Sequence, residues 1–329
     1  MSSILVADIG GTNARFGLVD IAGTKQPNPD YTAQSQITLR CANYPTIAQM
    51  IRAYGEEIGT PLPAFACLAI AGPIQKGRVR MTNLQWEFGI AELQKELGMD
   101  ALDVINDFAA LAYAMPHLTG TELHQFHAAE ADPEAPKLAL GPGTGFGMAG
   151  LVPCAGRWKI VATEGGHTNF APGTLEEVEI LKYLLERQPH VSVENLISGN
   201  GLVTLYKALA GVSGQKAEDY SPADVNQHGQ AGTDPLCRSA LDTFCGILGS
   251  VAGDKALSTG ARGGVYVGGG IVPRLVNYIP QTTFLQRYTN KGPMTGYVQG
   301  IPLNAIIKDT AALVGTAAWL LDTVPALAD

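Results

Sequence analysis

The residues best suited to chemistry fall into two glycine-rich turns, one triple glycine and two acid-bearing clusters. The first turn, Asp8-Ile-Gly-Gly-Thr-Asn13, follows the apolar run Ile4–Ala7. Gly10 and Gly11 let backbone amides close on an anion, and Thr12 and Asn13 add side-chain donors, so the turn can cradle phosphate. Asp8 suits a hydrated Mg²⁺, held through water. An ordinary hairpin turn explains these residues as well. The second turn, Gly141-Pro-Gly-Thr-Gly-Phe-Gly147, offers the same cradle at Gly143, Thr144 and Gly145. Gly268, Gly269 and Gly270 close an apolar run, where bare backbone can lie flat against an adenine or ribose; a flexible loop is the plain alternative.

Asn106-Asp107-Phe108 stands where an apolar strand pattern gives way to a helix. Ligands of open α/β sheets bind at the carboxyl ends of strands, and Asp107 there could take a proton from a substrate hydroxyl. Helix capping is the competing role, because Asn and Asp are both favoured N-caps. Glu164-Gly-Gly-His-Thr-Asn169 sets Glu164 and His167 apart by two glycines, a spacing that can converge on vicinal hydroxyls of a sugar. A plain turn with a solvent-facing histidine is the alternative, and Glu194 by itself reads as a surface charge.

Regular elements must hold these groups. Arg15–Asp20 returns antiparallel to the first run, and Gln36–Arg40 offers a third strand. Ile47, Ile51, Tyr54 and Ile58 recur at helical spacing. Phe65–Ile70 is an apolar strand, a short helix spans Ile90–Leu97, and Leu102–Ile105 is the strand that ends at Asn106. Glu130–Pro136 reads as a connection, after which Lys137–Leu140 enters the second glycine turn. Gly17-Leu-Val and Gly11-Thr are echoed by Gly150-Leu-Val and Gly143-Thr, a short internal repeat of strand, turn and returning strand. The strand Lys159–Thr163 precedes Glu164. Helical patterns follow over Thr174–Gln188, Gly201–Leu209 and Asp234–Thr259, then a strand over Gly264–Val267 and a last helix over Lys308–Leu321. Strands alternating with helices predict an α/β protein.

The chain's 329 residues exceed one ordinary core, which favours two domains. With 46% hydrophobic and 16% charged residues the composition is that of a folded protein. A net charge of −8 repels phosphate backbones, so no nucleic-acid partner is expected. Cys41, Cys67, Cys154, Cys237 and Cys245 form no CxxC pair and no metal-ligand spacing, which fits a reducing compartment. The first residues lack the basic region of a signal peptide, and no apolar run reaches membrane-spanning length. The expectation is a cytoplasmic chain with no membrane partner. Gly145, Gly147 and Gly150 match the dinucleotide pattern G-x-G-x-x-G, but Pro153 and Gly156 leave no helix there to hold a pyrophosphate. The Walker pattern G-x-x-x-x-G-K-[ST] is absent.

The order of the motifs resembles that of the bacterial glucokinase family, within the superfamily of actin, hexokinase and the heat-shock chaperones, from residue 4 to about 320. In that resemblance Asp8–Asn13 matches the first phosphate motif, Gly141–Gly147 the second, and Gly268–Gly270 the adenosine motif. The sugar residues matched are Asn106, Asp107, Glu164, His167 and Glu194, with Asn83 of the Met81-Thr-Asn-Leu-Gln-Trp86 segment bordering the sugar. The resemblance implies an α/β fold of two actin-like (ribonuclease H-like) domains, mixed sheets flanked by helices, with a cleft between them. Residues 1–115 plus 302–329 would form the smaller domain, closed by the C-terminal helix, and 116–301 the larger. It further implies ATP and Mg²⁺, transfer of phosphate from ATP to the C6 hydroxyl of glucose with Asp107 as general base, and a homodimer. The cysteine-rich zinc motif of the related repressor–kinase family does not follow His167, and the chain starts at its first strand with no helix-turn-helix before it. Structural zinc and DNA binding are therefore not expected. The rival classes are a non-catalytic sugar sensor of the same fold, which has no need of a base at Asp107, and a nicotinamide-dependent dehydrogenase, which rests only on the glycine pattern.

Overall fold

Ile4 to Ala7 are fully buried because they lie in the middle of a sheet, in β1 (Ser3–Ile9) of a computed structural model that describes residues 3–24, 29–81 and 84–328. A tight turn leads into β2 (Asn13–Asp20), followed by the short α1 (Ile21–Thr24) and by β3 (Gln34–Arg40). The helical spacing at Ile47 becomes α2 (Ile47–Ile58). Its Thr46 side chain accepts from the Gln49 N–H, and Gly59 ends it at φ 66°. The strands β4 (Phe65–Ile70) and β8 (Ala101–Asn106) run parallel to β1, with β8 at the sheet's edge, giving the order β3-β2-β1-β4-β8. A small sheet of β5 (Ile74–Gln75), β6 (Arg78–Arg80) and β7 (Glu87–Gly89) lies between them in sequence, then α3 (Ile90–Leu97), and α4 (Asp107–Ala114) leaves β8 directly.

The chain divides into two compact units, 1–119 with 308–329 and 120–307. In the second, β9 (Leu123–His127) is followed by β10 (Lys137–Pro142), β11 (Phe146–Cys154) and β12 (Arg157–Thr163). The helices α5 (Leu175–Leu185), α6 (Gly199–Val212), α7 (Pro222–Ala231) and α8 (Pro235–Thr259) come next, then β13 (Val265–Val267). Short helices α9 (Val272–Leu275), α10 (Phe284–Thr289) and α11 (Thr295–Gln299) lead to β14 (Leu303–Ile306). The sheet order is β12-β11-β10-β13-β14-β9. Its first five strands repeat the first unit's sheet, two antiparallel pairings and then two parallel ones. The internal repeat read from Gly-Thr and Gly-Leu-Val is thus a repeat of whole sheets.

The chain returns to the first unit through α12 (Ala311–Thr323) and the short α13 (Pro325–Ala328). β14 hydrogen-bonds to β13 and β9, so residues 303–306 group with 120–307 rather than with this last helix, and the division falls after Ile307. α12 begins at Ala311, later than the expected Lys308. The strand expected from Gly264 begins at Val265, since Gly264 has φ 117°. Among the described residues no helix is long and apolar enough to cross a membrane.

Candidate active site

In the first unit the register puts Ile9, Ile70 and Asn106 in line across three parallel strands. The Asp8–Asn13 turn and the Asn106-Asp107 pair therefore stand at the same sheet end, about 10 Å apart by strand spacing. The turn is closed by the Gly10 N–H donating to the Asn13 carbonyl (3.0 Å) and braced by the Cys41 N–H on the Thr12 carbonyl (2.9 Å). Thr12 and Asn13 are exposed, with donors free to meet a ligand.

Competition for the cap of α4 is resolved by Asn106, whose Oδ1 accepts from Phe108 N–H (2.9 Å) and Ala109 N–H (3.3 Å). Asp107 is the first helical residue. Its Oδ1 shares the Phe108 N–H at 2.9 Å, which leaves Oδ2 for other work. Burial, and next the charge of Asp8, push the Asp107 carboxyl up to about 6. Asp8 is also raised to about 6, by burial, against the pull of Arg15 directly opposite it across the hairpin. Arg15 is itself turned toward Asp309, donating to its carbonyl at 2.7 Å and pairing with its carboxylate at 3.0 Å. Two half-buried carboxylates, the charge of Asp8 raising the proton affinity of Asp107, form a hard oxygen donor set, and a hydrated Mg²⁺ fits it chemically.

The second unit assembles the remaining groups. The turn Gly143–Gly145 joins β10 to β11, with the Gly143 N–H on the Gly145 carbonyl (2.8 Å). The triple glycine is no slack loop. A Cβ on Gly141 would lie 2.1 Å from the Gly268 carbonyl oxygen, and one on Gly269, at φ 86°, would lie 2.3 Å from the Pro142 carbonyl oxygen. These glycines let two backbones touch, so the Gly268–Gly270 segment abuts the Gly141–Gly147 turn. Glu164 and His167 bracket a single 3₁₀ turn whose side chains are exposed. Its two glycines press on β11, Gly165 against Met148 and Gly166 against the Phe146 carbonyl. The Glu194 N–H donates to the Gly166 carbonyl at 2.9 Å, and the Glu194 carboxylate lies 3.9 Å from His167 Nδ1. Glu194 is therefore no loose surface charge.

Asn83 lies outside the described residues. Every other residue singled out in the sequence takes its place in one of two groups. Asp8, Gly10, Gly11, Thr12, Asn13, Asn106 and Asp107 gather at one sheet end of the first unit. Gly143, Thr144, Gly145, Glu164, His167, Glu194, Gly268, Gly269 and Gly270 gather in the second. The sequence reading passed over three supports. Lys255 of α8 donates to Thr168 Oγ1 at 3.0 Å, beside His167. Glu177 of α5 accepts from the Gly173 N–H (2.7 Å) and pairs through both oxygens with Arg287 of α10. The Phe146 N–H donates to Glu194 at 2.7 Å. The first two join residues far apart in the chain and the last is a backbone group, so none carries a local signal.

The sequence matches the glucokinase family model over residues 5–323. It is 45% identical over 321 residues to a curated glucokinase of Saccharophagus degradans, covering 97% of this chain and 98% of that one. The crystal structure of a glucokinase from an Antarctic psychrotroph superposes with a TM-score of 0.89 at 38% identity, covering 98% of this chain and 100% of the other. A glucokinase of the ROK family from Streptomyces griseus, solved in complex with glucose and AMPPNP, shares the fold at 19% identity with a TM-score of 0.65, over 97% of this chain and 99% of its own.

Proposed function

The chain belongs to the glucokinase family, and we propose on that footing that it transfers the γ-phosphoryl group of ATP to glucose, giving glucose 6-phosphate and ADP. The observation that carries the catalytic part is Asp107. It stands at the carboxyl end of β8, a strand parallel to β4 at the sheet's edge, is relieved of capping by Asn106, and is half-buried with a carboxyl raised to about 6. Asp107 takes the proton of the C6 hydroxyl as its oxygen bonds to the γ-phosphorus and the bond to the ADP oxygen breaks. Asn106, Glu164, His167 and Glu194 orient the sugar through its other hydroxyls, with Asn83 at its border. Gly10–Asn13 and Gly143–Gly145 hold the β- and γ-phosphates, and Gly268–Gly270 the adenosine. Mg²⁺, held by Asp8 through water, would neutralise the phosphate oxygens.

A coupled ADP-release assay with glucose tests this reading; no turnover above background sinks it. Galactose, mannose and fructose are expected to be poor substrates, because an altered hydroxyl leaves Glu164, His167 or Glu194 unpaired, a loss on the order of 10⁴ in kcat/KM at a well-built site. Equal turnover of all four sugars would remove these residues from sugar recognition. The same reading makes the protein a cytoplasmic homodimer with no nucleic-acid or membrane partner. The exposed apolar residues Leu175, Val178 and Leu185 along α5 suit a second copy, and sedimentation of the native chain against Val178→Glu checks that pairing.

A further inference from the structure

The two oxygens of Glu194 face different parts of the second unit. Oε2 accepts from the Phe146 N–H at 2.7 Å, and Phe146 follows immediately on the Gly143-Thr144-Gly145 turn. Oε1 is the oxygen on the side of His167, 3.9 Å from Nδ1. The surrounding backbone allows little play. The Glu194 N–H is held by the Gly166 carbonyl, and the Gly199 N–H donates to the Gly143 carbonyl, both at 2.9 Å. Space is equally filled. A Cβ on Gly145 would fall 2.4 Å from Glu194 Oε2, and one on Gly166 would fall 2.3 Å from the Phe146 carbonyl oxygen. The segment bearing Glu164 and His167 and the glycine turn thus cannot shift independently of the Glu194 side chain.

We propose that Glu194 is a positioning residue for the second phosphate turn, its Oε2 fixing that turn through the Phe146 N–H while Oε1 serves the sugar, so that affinities for sugar and nucleotide are coupled. This rests on the reading of Glu194 as a sugar ligand and of Gly143–Gly145 as a phosphate turn. Coupling between two binding sites is reciprocal, so a change on the turn must be felt at the sugar and a change at Glu194 must be felt by the nucleotide.

The test uses the full chain and calorimetric titration, with AMPPNP in the absence of sugar and with glucose in the absence of nucleotide. Glu194→Ala removes the acceptor and is expected to weaken AMPPNP about tenfold, the loss of one charge-assisted hydrogen bond. Glu194→Gln keeps an amide oxygen for the Phe146 N–H, so AMPPNP affinity returns close to the unsubstituted value while glucose binding stays weak. Gly145→Ala, at a backbone conformation open to alanine, pushes on Oε2 and is expected to weaken glucose about tenfold although it lies on the phosphate turn. Unchanged AMPPNP affinity in a folded Glu194→Ala chain overturns the inference. So does an equal AMPPNP loss in the Ala and Gln variants, or unchanged glucose affinity in Gly145→Ala. Should the Ala variant not fold, the other two decide: Gln with normal AMPPNP but weak glucose binding, and Gly145→Ala with weak glucose binding, must both be seen. An unsubstituted chain that binds no AMPPNP overturns the proposed function and this inference together. Normal AMPPNP binding with no effect of Glu194→Ala overturns the inference alone.

Discussion

Asn106 is the N-cap of α4 and Asp107 is its first residue, so the amide takes the structural role and the carboxyl keeps one oxygen for the proposed proton transfer. Asp107→Asn keeps the shape and an acceptor but cannot take a proton. Its kcat is expected to fall roughly 10²–10⁴-fold with glucose Kd little changed and a melting temperature near that of the unsubstituted protein. Turnover close to normal in the folded variant would sink the mechanism. The pH profile offers a second check at this scale. With the Asp107 carboxyl raised to about 6, kcat/KM is expected to fall as pH drops through that value, because the protonated acid is no base. Asp8→Asn removes the neighbouring charge, so the acid limb should move to lower pH; a limb that stays in place would show that the two carboxylates do not interact. Stability runs the other way. Both carboxyls are raised in the folded state from 3.8 to about 6, so the folded protein binds more protons in that window. Their contribution is greatest below the unfolded value and is lost as pH rises through about 6. The acids and glycines of the site were legible because each motif is local in sequence. Which of Asn106 and Asp107 caps the helix was not, since both types cap equally well. Arg15 was legible only as a strand residue, its partner Asp309 lying at the far end of the chain.

Elements were read most surely where pattern and burial coincide, as in β4 with its six buried residues and α2 with its capped ends. They were missed where the chain is short of pattern. β9 reads as Leu-His-Gln-Phe-His and is half-buried at a sheet edge, and β14 is a buried strand of four residues. Tertiary pairing, not local alternation, makes both into strands. α12 is apolar on nearly every side because it is buried on nearly every side. Its Gly315 sits against α4, where a Cβ would fall 1.8 Å from the Ala110 carbonyl oxygen. Gly315→Ala must therefore push the two helices apart, with an expected destabilisation of about 1–3 kcal/mol and a fall in kcat, since α4 carries Asp107. Thermal unfolding and steady-state kinetics check the two effects, and a variant as stable as the parent would deny the close approach. In the second unit the buried Glu177–Arg287 pair ties α5 to α10 just past the Glu164–Asn169 segment. Glu177→Ala leaves the guanidinium without its partner and is expected to cost about 3–5 kcal/mol, measurable by urea unfolding.

At the scale of the whole molecule, two sheets share one five-strand plan, and short echoes in the sequence pointed to it. The echo is faint because a strand order is kept by hydrogen bonding and burial, which many sequences satisfy, whereas the Gly-Thr turns demand particular residues. The first unit is also the one interrupted in sequence. α12 packs against α4, β1 and β4, the Trp319 indole donates to Asp103 at 3.0 Å, and Arg15 reaches Asp309. During synthesis this has a consequence in time. Residues 3–119 leave the ribosome first, yet the helix that completes their core comes after all of residues 120–307. At about 5–20 residues per second the unfinished unit waits on the order of 10–40 s. The second unit, continuous in sequence, can close during that interval. Nascent chains stalled at successive lengths and treated briefly with protease should show the later-made half becoming resistant first, and the earlier-made half only once α12 has emerged.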